Sequence, residues 1–318
     1  MLTHRLTVPA HRLAALVEDV LAGQPAEHLA AQAGIDTADL LDAIETFRTA
    51  GNAALRTRHD DTWFHARIRP TDWADAENLF SEHVGPRLDG LDGRPAWWYI
   101  RKHPDWRIRI RTRRHQDAAA LLDQFTNERL IAGWTQGVYE AETAAFGGPA
   151  GVDIIHDLFC ADSSGILAYL RLDPPPLGRR ELSLLLLRTL QDHAGLDPFE
   201  AADVFDRIAA IRPAPGPQQK HRVDNLANHM LPLLLCTPTA RDTMFAPDGP
   251  LHAAADWKAA AVAAGNQLGE AAVTGRLDRG LRATIAQATI FHWNRLGLTA
   301  PVQGLLARAA THALLSRD

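Results

Sequence analysis

A chain of 318 residues with 46% hydrophobic and 22% charged content can bury a sizeable core, which excludes a disordered or fibrous sequence and allows one large or two medium domains. The formal net charge of −5, without any long basic block, argues against non-specific attachment to nucleic acid, which depends on neutralising phosphates. No segment approaches the roughly 20 apolar residues that span a bilayer, and MLTHRLTVPAHRL lacks the apolar run of a signal peptide, so a cytoplasmic protein with no membrane partner is expected.

From Pro9 to about Ala54, apolar residues recur at helical spacing in three groups: Leu13, Val17, Val20 and Leu21; Leu29, Ala33 and Ile35; Leu40, Ile44 and Phe47. Gly23-Gln24-Pro25 separates the first two groups, Gly34 closes the second, and Asp36 or Thr37 can cap the third. The spacing predicts a helix-turn-helix-like, winged-helix-like unit over residues 1–60, with Ala53 to His65 as the wing. Residues 1 to 60 carry five Arg against eight carboxylates, and the third helix, DTADLLDAIETF, is acidic, whereas a helix that reads a DNA groove is normally basic. No DNA partner is expected. A structural or dimerising role, hence a homodimer, and the docking of a peptide are the readings that remain.

From Thr62 to about Thr143 the pattern alternates between strands and helices. Trp63 to Pro70 reads as a strand, DWADAENLFSEHVGPRL as a helix, AWWYIRK and DWRIRIRT as two strands joined by a tight turn, HQDAAALLDQFTNERL as a helix, and WTQGVYEAE as the last strand. This β-α-β-β-α-β order over residues 61–146 predicts a ferredoxin-like antiparallel sheet with both helices on one face. After Gly147-Gly148-Pro149 the chain becomes helical through 147–318, with Arg212 to Lys220 as a proline-rich linker and four helices after it. The fold class is therefore α+β. Cys160 and Cys236 each lie in an apolar run without metal or redox spacing, which predicts buried small hydrophobes. The 15 histidines form no ligand-spaced cluster, and no G-x-G-x-x-G, Walker loop, H-E-x-x-H or nucleophile elbow occurs, so no metal and no cofactor are implied.

Four motifs in order carry a resemblance. WWYIRK with DWRIRIR is similar to "FIRY…DP..HLRLR", YEAETAAFGG to "Y.PE..RYGG", HDLFCADS to a helix ending "F..DS", and FHWNRLGL to a closing "HM..NRL.G". Together they resemble the C-terminal elimination domain of class I lanthipeptide dehydratases and its stand-alone thiopeptide relatives, over roughly residues 61–318. The resemblance implies a lyase-type enzyme of ribosomal-peptide modification. Its partners would be a precursor peptide with a leader and a separate glutamylating dehydratase, and it would eliminate glutamate from glutamylated Ser or Thr. Carried over by position, the catalytic residues are Arg101, Glu142 and His292. The family's second arginine falls on Ala145, which removes one bidentate partner for the leaving glutamate.

That chemistry requires removal of an α-proton, stabilisation of the resulting charge and departure of a carboxylate. Arg101, at the end of a strand whose Trp97, Trp98 and Tyr99 can wall a pocket, can hold the anion. His292 is the proton-transfer group suited to neutral pH, three residues before Arg295 near a helix C-terminus. Trp98, Arg109, Arg111, Asp162, Ser163 and Arg295 are the expected substrate-binding residues, although Asp162-Ser163 can equally be a cap joining two helices. In the plainer alternative Arg101 is one more strand arginine, His292 a satisfied core residue and Glu142 a partner of a sheet arginine. Two other functions stay open: a pyridine synthase that joins two dehydroalanines by an aza-[4+2] reaction with leader release, and a noncatalytic peptide-binding partner. An extended leader added to the sheet edge would gain backbone hydrogen bonds.

Overall fold

The computed structural model describes residues 8–60, 62–216 and 220–315. Two compact units divide at Asp61 and Thr62. In the first, α1 (Ala10–Leu21), α2 (Ala26–Ala33) and α3 (Thr37–Asp60) enclose a small core of Val17, Leu29, Ala30, Leu40 and Ile44. Gly34 ends α2 in the left-handed conformation at φ 67°, where a side chain would be strained. The expected wing does not form. Helix α3 runs on through Asp60 because TAGNAALRTRHD contains no proline and is rich in helix formers, and Trp63 to His65 belong to the first strand of the second unit.

The second unit begins with β1 (Trp63–Pro70), then a helical stretch in which α4 (Ala76–Leu79) and α5 (Gly85–Asp89) flank a π-helical turn over Phe80–Val84. Next come β2 (Trp97–Lys102), β3 (Asp105–Arg111), α6 (His115–Asn127) and β4 (Ile131–Gly137). The four strands form one antiparallel sheet in the order β2-β3-β1-β4. Alternation sorts the side chains. Phe64, Ala66, Ile68, Tyr99, Trp106, Ile108 and Ile110 share a core with Phe80, Val84, Leu88, Leu122 and Phe125 of the two helical segments. Trp63 and Trp98, from the other face, join the core of the helical half. The last strand stops at Gly137, short of the expected end; Val138 is 86% exposed, and the chain then turns so that the Ala145 and Phe146 N–H groups both donate to the Glu142 carbonyl.

The helical half comprises α7 (Gly148–Leu170), α8 (Arg179–His193), α9 (Pro198–Ala210), α10 (Lys220–Leu234), α11 (Pro238–Phe245), α12 (Ala255–Val273), α13 (Leu281–Arg295) and α14 (Ala300–Leu315). Helix α11 adds one to the expected set after the linker. Its signals are local: the Thr237 side chain accepts from the Ala240 N–H, and Pro238 opens the first turn. Close approach of α12 to α8 depends on Gly265, where a Cβ would lie 2.5 Å from the Leu190 carbonyl oxygen. Asp162 and Ser163 lie in the interior of α7, both buried, so they do not cap a junction between helices. Cys160 and Cys236 are free and only partly buried, and burial pushes the Cys160 thiol up to about 12. Among the described residues no helix is long and apolar enough to cross a membrane.

Candidate functional site

Helices α7 and α13 bring Asp162, His292 and Arg295 together. His292 Nδ1 lies 2.7 Å from Asp162 Oδ1, the Arg295 Nε–H donates to Asp162 Oδ2 at 2.6 Å, and the Trp257 Nε1–H donates to Oδ1 at 2.9 Å. The other imidazole nitrogen lies 2.7 Å from Ser183 Oγ, which also accepts from Trp293 Nε1–H at 3.1 Å. Every member is buried, His292 to 7% exposure and Arg295 to 0%. Burial alone would raise the Asp162 carboxyl, but His292 and Arg295 hold it down to about 2. A cavity of about 30 Å³, room for about one water, ends on Asp162, His292 and Arg295 and is otherwise lined by apolar side chains such as Leu158, Leu186, Trp257 and Ala288. The adjacent Ser163 hydroxyl donates to the Phe159 carbonyl and accepts the Tyr99 N–H, which ties β2 to α7.

A second group lies on the sheet face opposite α6. The Arg109 guanidinium sits 4.3 Å from the Trp98 ring and 5.5 Å from Tyr139. It is 8% exposed, its Nη1–H reaches the Arg107 carbonyl at 3.3 Å, and its buried Nε–H has no hydrogen-bond partner among the described residues. Burial lowers its pKa to about 10, still cationic at neutral pH. Arg111 stacks on Trp63 and meets Asp157 at 3.3 Å. His65, next to Arg109 in the register, is driven down to about 4 by burial and then by the Arg109 charge, so it is neutral near pH 7. Tyr139 Oη lies 2.5 Å from His156 Nε2, beside Trp63 and Trp98. Phe159 links the two groups: it packs on Trp98 at 5.0 Å and carries the Arg295 guanidinium at 4.1 Å on its ring.

Arg101 belongs to neither group. Its side chain lies on the α6 side of the sheet, over Trp106 at 4.8 Å; of the three aromatic residues expected to wall its pocket, Trp97 and Tyr99 share that face and Trp98 lies on the other. It is ion-paired with Glu77, which Arg179 also grips through two bonds of 2.9 and 3.1 Å. Burial would raise the Glu77 carboxyl, but the Arg179 hydrogen bonds and the Arg101 charge hold it below its ordinary value. Helix α13 does approach this strand: a Cβ on Gly297 would lie 2.7 Å from Arg101 Nη1. Glu142 is exposed on the turn after β4, close enough for Arg109 to feel its charge. At Ala145, where the family motif has an arginine, the backbone carbonyl accepts the Arg279 Nη1–H at 2.6 Å.

The structure thus gathers Asp162, His292 and Arg295 in one buried network and Trp98 with Arg109 on one sheet face, while Arg101, Arg111 and Glu142 stand apart from the network. The sequence reading missed His65, Glu77, His156, Arg179 and Ser183. Only His156 carried a signal, a polar residue on the apolar face of a helix. Among the described residues no group of three or more His, Cys, Asp or Glu side chains is placed to hold a metal ion.

The family model described as lantibiotic biosynthesis dehydratase C-terminal matches residues 63–314. No curated protein is similar to the chain in sequence. Among solved structures, the chain is similar to the tRNA-dependent lantibiotic dehydratase MibB from Microbispora sp. 107891, with 19% identity and a TM-score of 0.58 over 78% of this chain and 28% of that one. It therefore spans little more than a quarter of that protein. It is also similar to TbtD, the pyridine synthase of thiomuracin biosynthesis, with 14% identity and a TM-score of 0.54 over 80% of this chain and 97% of that one. TsrL gives 18% identity and a TM-score of 0.51 over 79% of this chain and 94% of that one. At these identities the likeness to solved structures establishes the fold alone, whereas the family model spans most of the chain: the protein belongs to the lantibiotic biosynthesis dehydratase C-terminal family.

Proposed function

We propose that the protein is an enzyme of ribosomally made peptide modification that eliminates glutamate from glutamylated Ser or Thr in a leader-bearing precursor, after a separate dehydratase has attached the glutamate. The observation that carries this reading is Arg109, a buried guanidinium with an unused Nε–H and no carboxylate within ion-pair distance among the described residues. A buried cation without an anion is costly, and such a group is retained where an anionic ligand completes it. Glutamate leaving as a carboxylate supplies that anion.

In this reading a base takes the α-proton, the Cα–H electrons form the Cα=Cβ bond, and the Cβ–O bond breaks as glutamate departs. Glu142, an exposed carboxylate whose charge acts on Arg109, takes the proton in this reading. Arg109, its guanidinium against the Trp98 and Tyr139 rings, offers its donors to the leaving group. Arg101 and His292, each engaged by an internal carboxylate, are positioning residues that fix β2 and α13 behind this face. The test is to incubate the protein with a glutamylated precursor and, separately, with a dehydrated one, and to follow mass. Loss of glutamate from the first, with the second unchanged, is expected. Leader release with ring formation from the second would instead establish pyridine synthesis, a reading favoured by Ala145, which offers no guanidinium. If neither peptide changes, the protein is a noncatalytic binding partner.

A further inference from the structure

The two edges of the sheet are treated differently. The Thr112 N–H donates to the Thr62 carbonyl, so even-numbered residues of β1 turn their backbone groups toward β3 and odd-numbered ones toward β4. Through the register His65↔Gly137, Arg67↔Thr135 and Arg69↔Gly133, residues 133, 135 and 137 bond to β1, and the backbone groups of Trp134 and Gln136 turn outward. None of those outward groups meets another backbone group among the described residues. At the opposite edge the outward N–H of Tyr99 is taken by Ser163 of α7. Edge strands are normally blunted by charge, proline or a covering element. Strand β4, IAGWTQG, has no charge and no proline.

The side chains next to this edge point to one kind of occupant. On the arginine face β4 presents only Gly133, Thr135 and Gly137, a low shelf over which the exposed Arg67 of the next strand can reach. Across from Arg67 stands Arg107, and neither has an ion-pair partner among the described residues, whereas Arg69 is paired with Asp105 at 2.5 Å. A strand added beyond β4 would place alternate side chains over that shelf, the one above Thr135 within reach of Arg67, two strand spacings away, while Arg107 behind it adds to the positive charge of the face. We propose that the outer edge of β4 binds an extended acidic peptide segment by strand addition, with a carboxylate over Thr135 meeting Arg67. The inference rests on the reading of the protein as a peptide-modifying enzyme, and assigns the precursor segment it holds.

The test uses the full chain and a fluorescein-labelled twelve-residue peptide alternating Asp with Val or Thr, its Lys-for-Asp counterpart, and fluorescence polarisation. The acidic peptide binds and the basic one does not; raising salt weakens binding. Gln136→Pro removes one outward N–H while sparing the bonds to β1, and weakens binding about tenfold or more. Arg67→Glu, which changes only an exposed side chain and leaves the backbone bonds of β1 in place, weakens it by a similar factor, and carries the test should Gln136→Pro fail to fold. Equal binding of both peptides, or binding indifferent to both substitutions, overturns the proposal. So does a wild-type dimer that becomes monomeric in Gln136→Pro without binding peptide, since the edge then pairs with a second copy. Failure here is distinct from failure of the functional reading: precursor turnover unaffected by either substitution overturns the edge alone, and peptide binding without turnover of either precursor overturns the elimination alone.

Discussion

Arg295 and Arg109 are both buried, both stacked on an aromatic ring, and separated by Phe159 and Trp98, yet their surroundings are opposite in kind. Arg295 lies against Asp162, whose two oxygens are shared with His292 and Trp257. Arg109 has only a long bond to a backbone carbonyl. A buried ion network that holds its counter-ion inside balances its charge within the fold, although Arg295 Nη1 finds no hydrogen-bond partner among the described residues. A buried cation left open costs stability and is explained by what it binds. Exposure alone would rank the two residues alike; the presence of an internal counter-ion separates them.

The strongest way to break this comparison is to remove the centre of the closed network. Asp162→Asn leaves Arg295 buried without its charge partner and is expected to cost about 3–5 kcal/mol in urea unfolding. Because the folded carboxyl lies near 2, below its ordinary 3.8, its contribution is present above about pH 4 and lost as pH falls toward 2. That part of the acid limb should vanish in the variant. Wild-type stability for Asp162→Asn would mean that the network does not hold α7 to α13.

Arg109→Ala should behave in the opposite way. Stability is expected to stay level or rise, since a buried cation without an anion is removed, while turnover of glutamylated precursor falls about 100-fold. Arg109→Lys should not restore it, because an ammonium lacks the planar fork. A variant that loses stability and keeps turnover would make Arg109 structural and dissolve the contrast with Arg295.

How much of this was legible in the sequence follows from the range of each interaction. The alternation in WFHARIRP, WWYIRK and DWRIRIR marks strands with one charged face, and the order of elements leads to the observed four-stranded sheet. The four family motifs marked the segments that meet around α7 and α13. What the sequence did not reveal is pairing at long separation. Nothing near Arg101 announces Glu77 or Arg179, and nothing near His292 announces Ser183, 109 residues away. The wing failed for a local reason: a proline-free run rich in Ala, Leu and Arg continues a helix through Gly51, because one glycine weakens a helix without ending it.

His65 tests the charged face through pH. Its folded pKa of about 4 lies below the ordinary 6.5, so the fold favours the neutral ring. The resulting stability is full above about pH 6.5 and lost as pH falls toward 4, a window above that of Asp162. A loss of about 1–3 kcal/mol across it is expected for the wild type, and His65→Gln should flatten it. Were the window unchanged in His65→Gln but narrowed in Arg109→Ala, the protonation being read would belong to another group on the same face.

The smallest effect concerns Arg101, and two glycines allow it to be isolated. Gly275 and Gly297 both hold left-handed backbone, at φ 69° and 74°, where alanine is strained by about 1 kcal/mol. A Cβ on Gly275 meets nothing within 4 Å, whereas one on Gly297 lies 2.7 Å from Arg101 Nη1. Both alanine variants therefore carry the same backbone strain, and only Gly297→Ala also displaces the guanidinium from Glu77. That guanidinium is the far end of a flexible side chain, so the extra cost in thermal or urea unfolding should be under about 1 kcal/mol. If Arg101 positions β2 and does not itself touch the peptide, the extra cost appears in stability with turnover retained. A fall in turnover at unchanged stability would move Arg101 from the closed side of the comparison to the open side, beside Arg109.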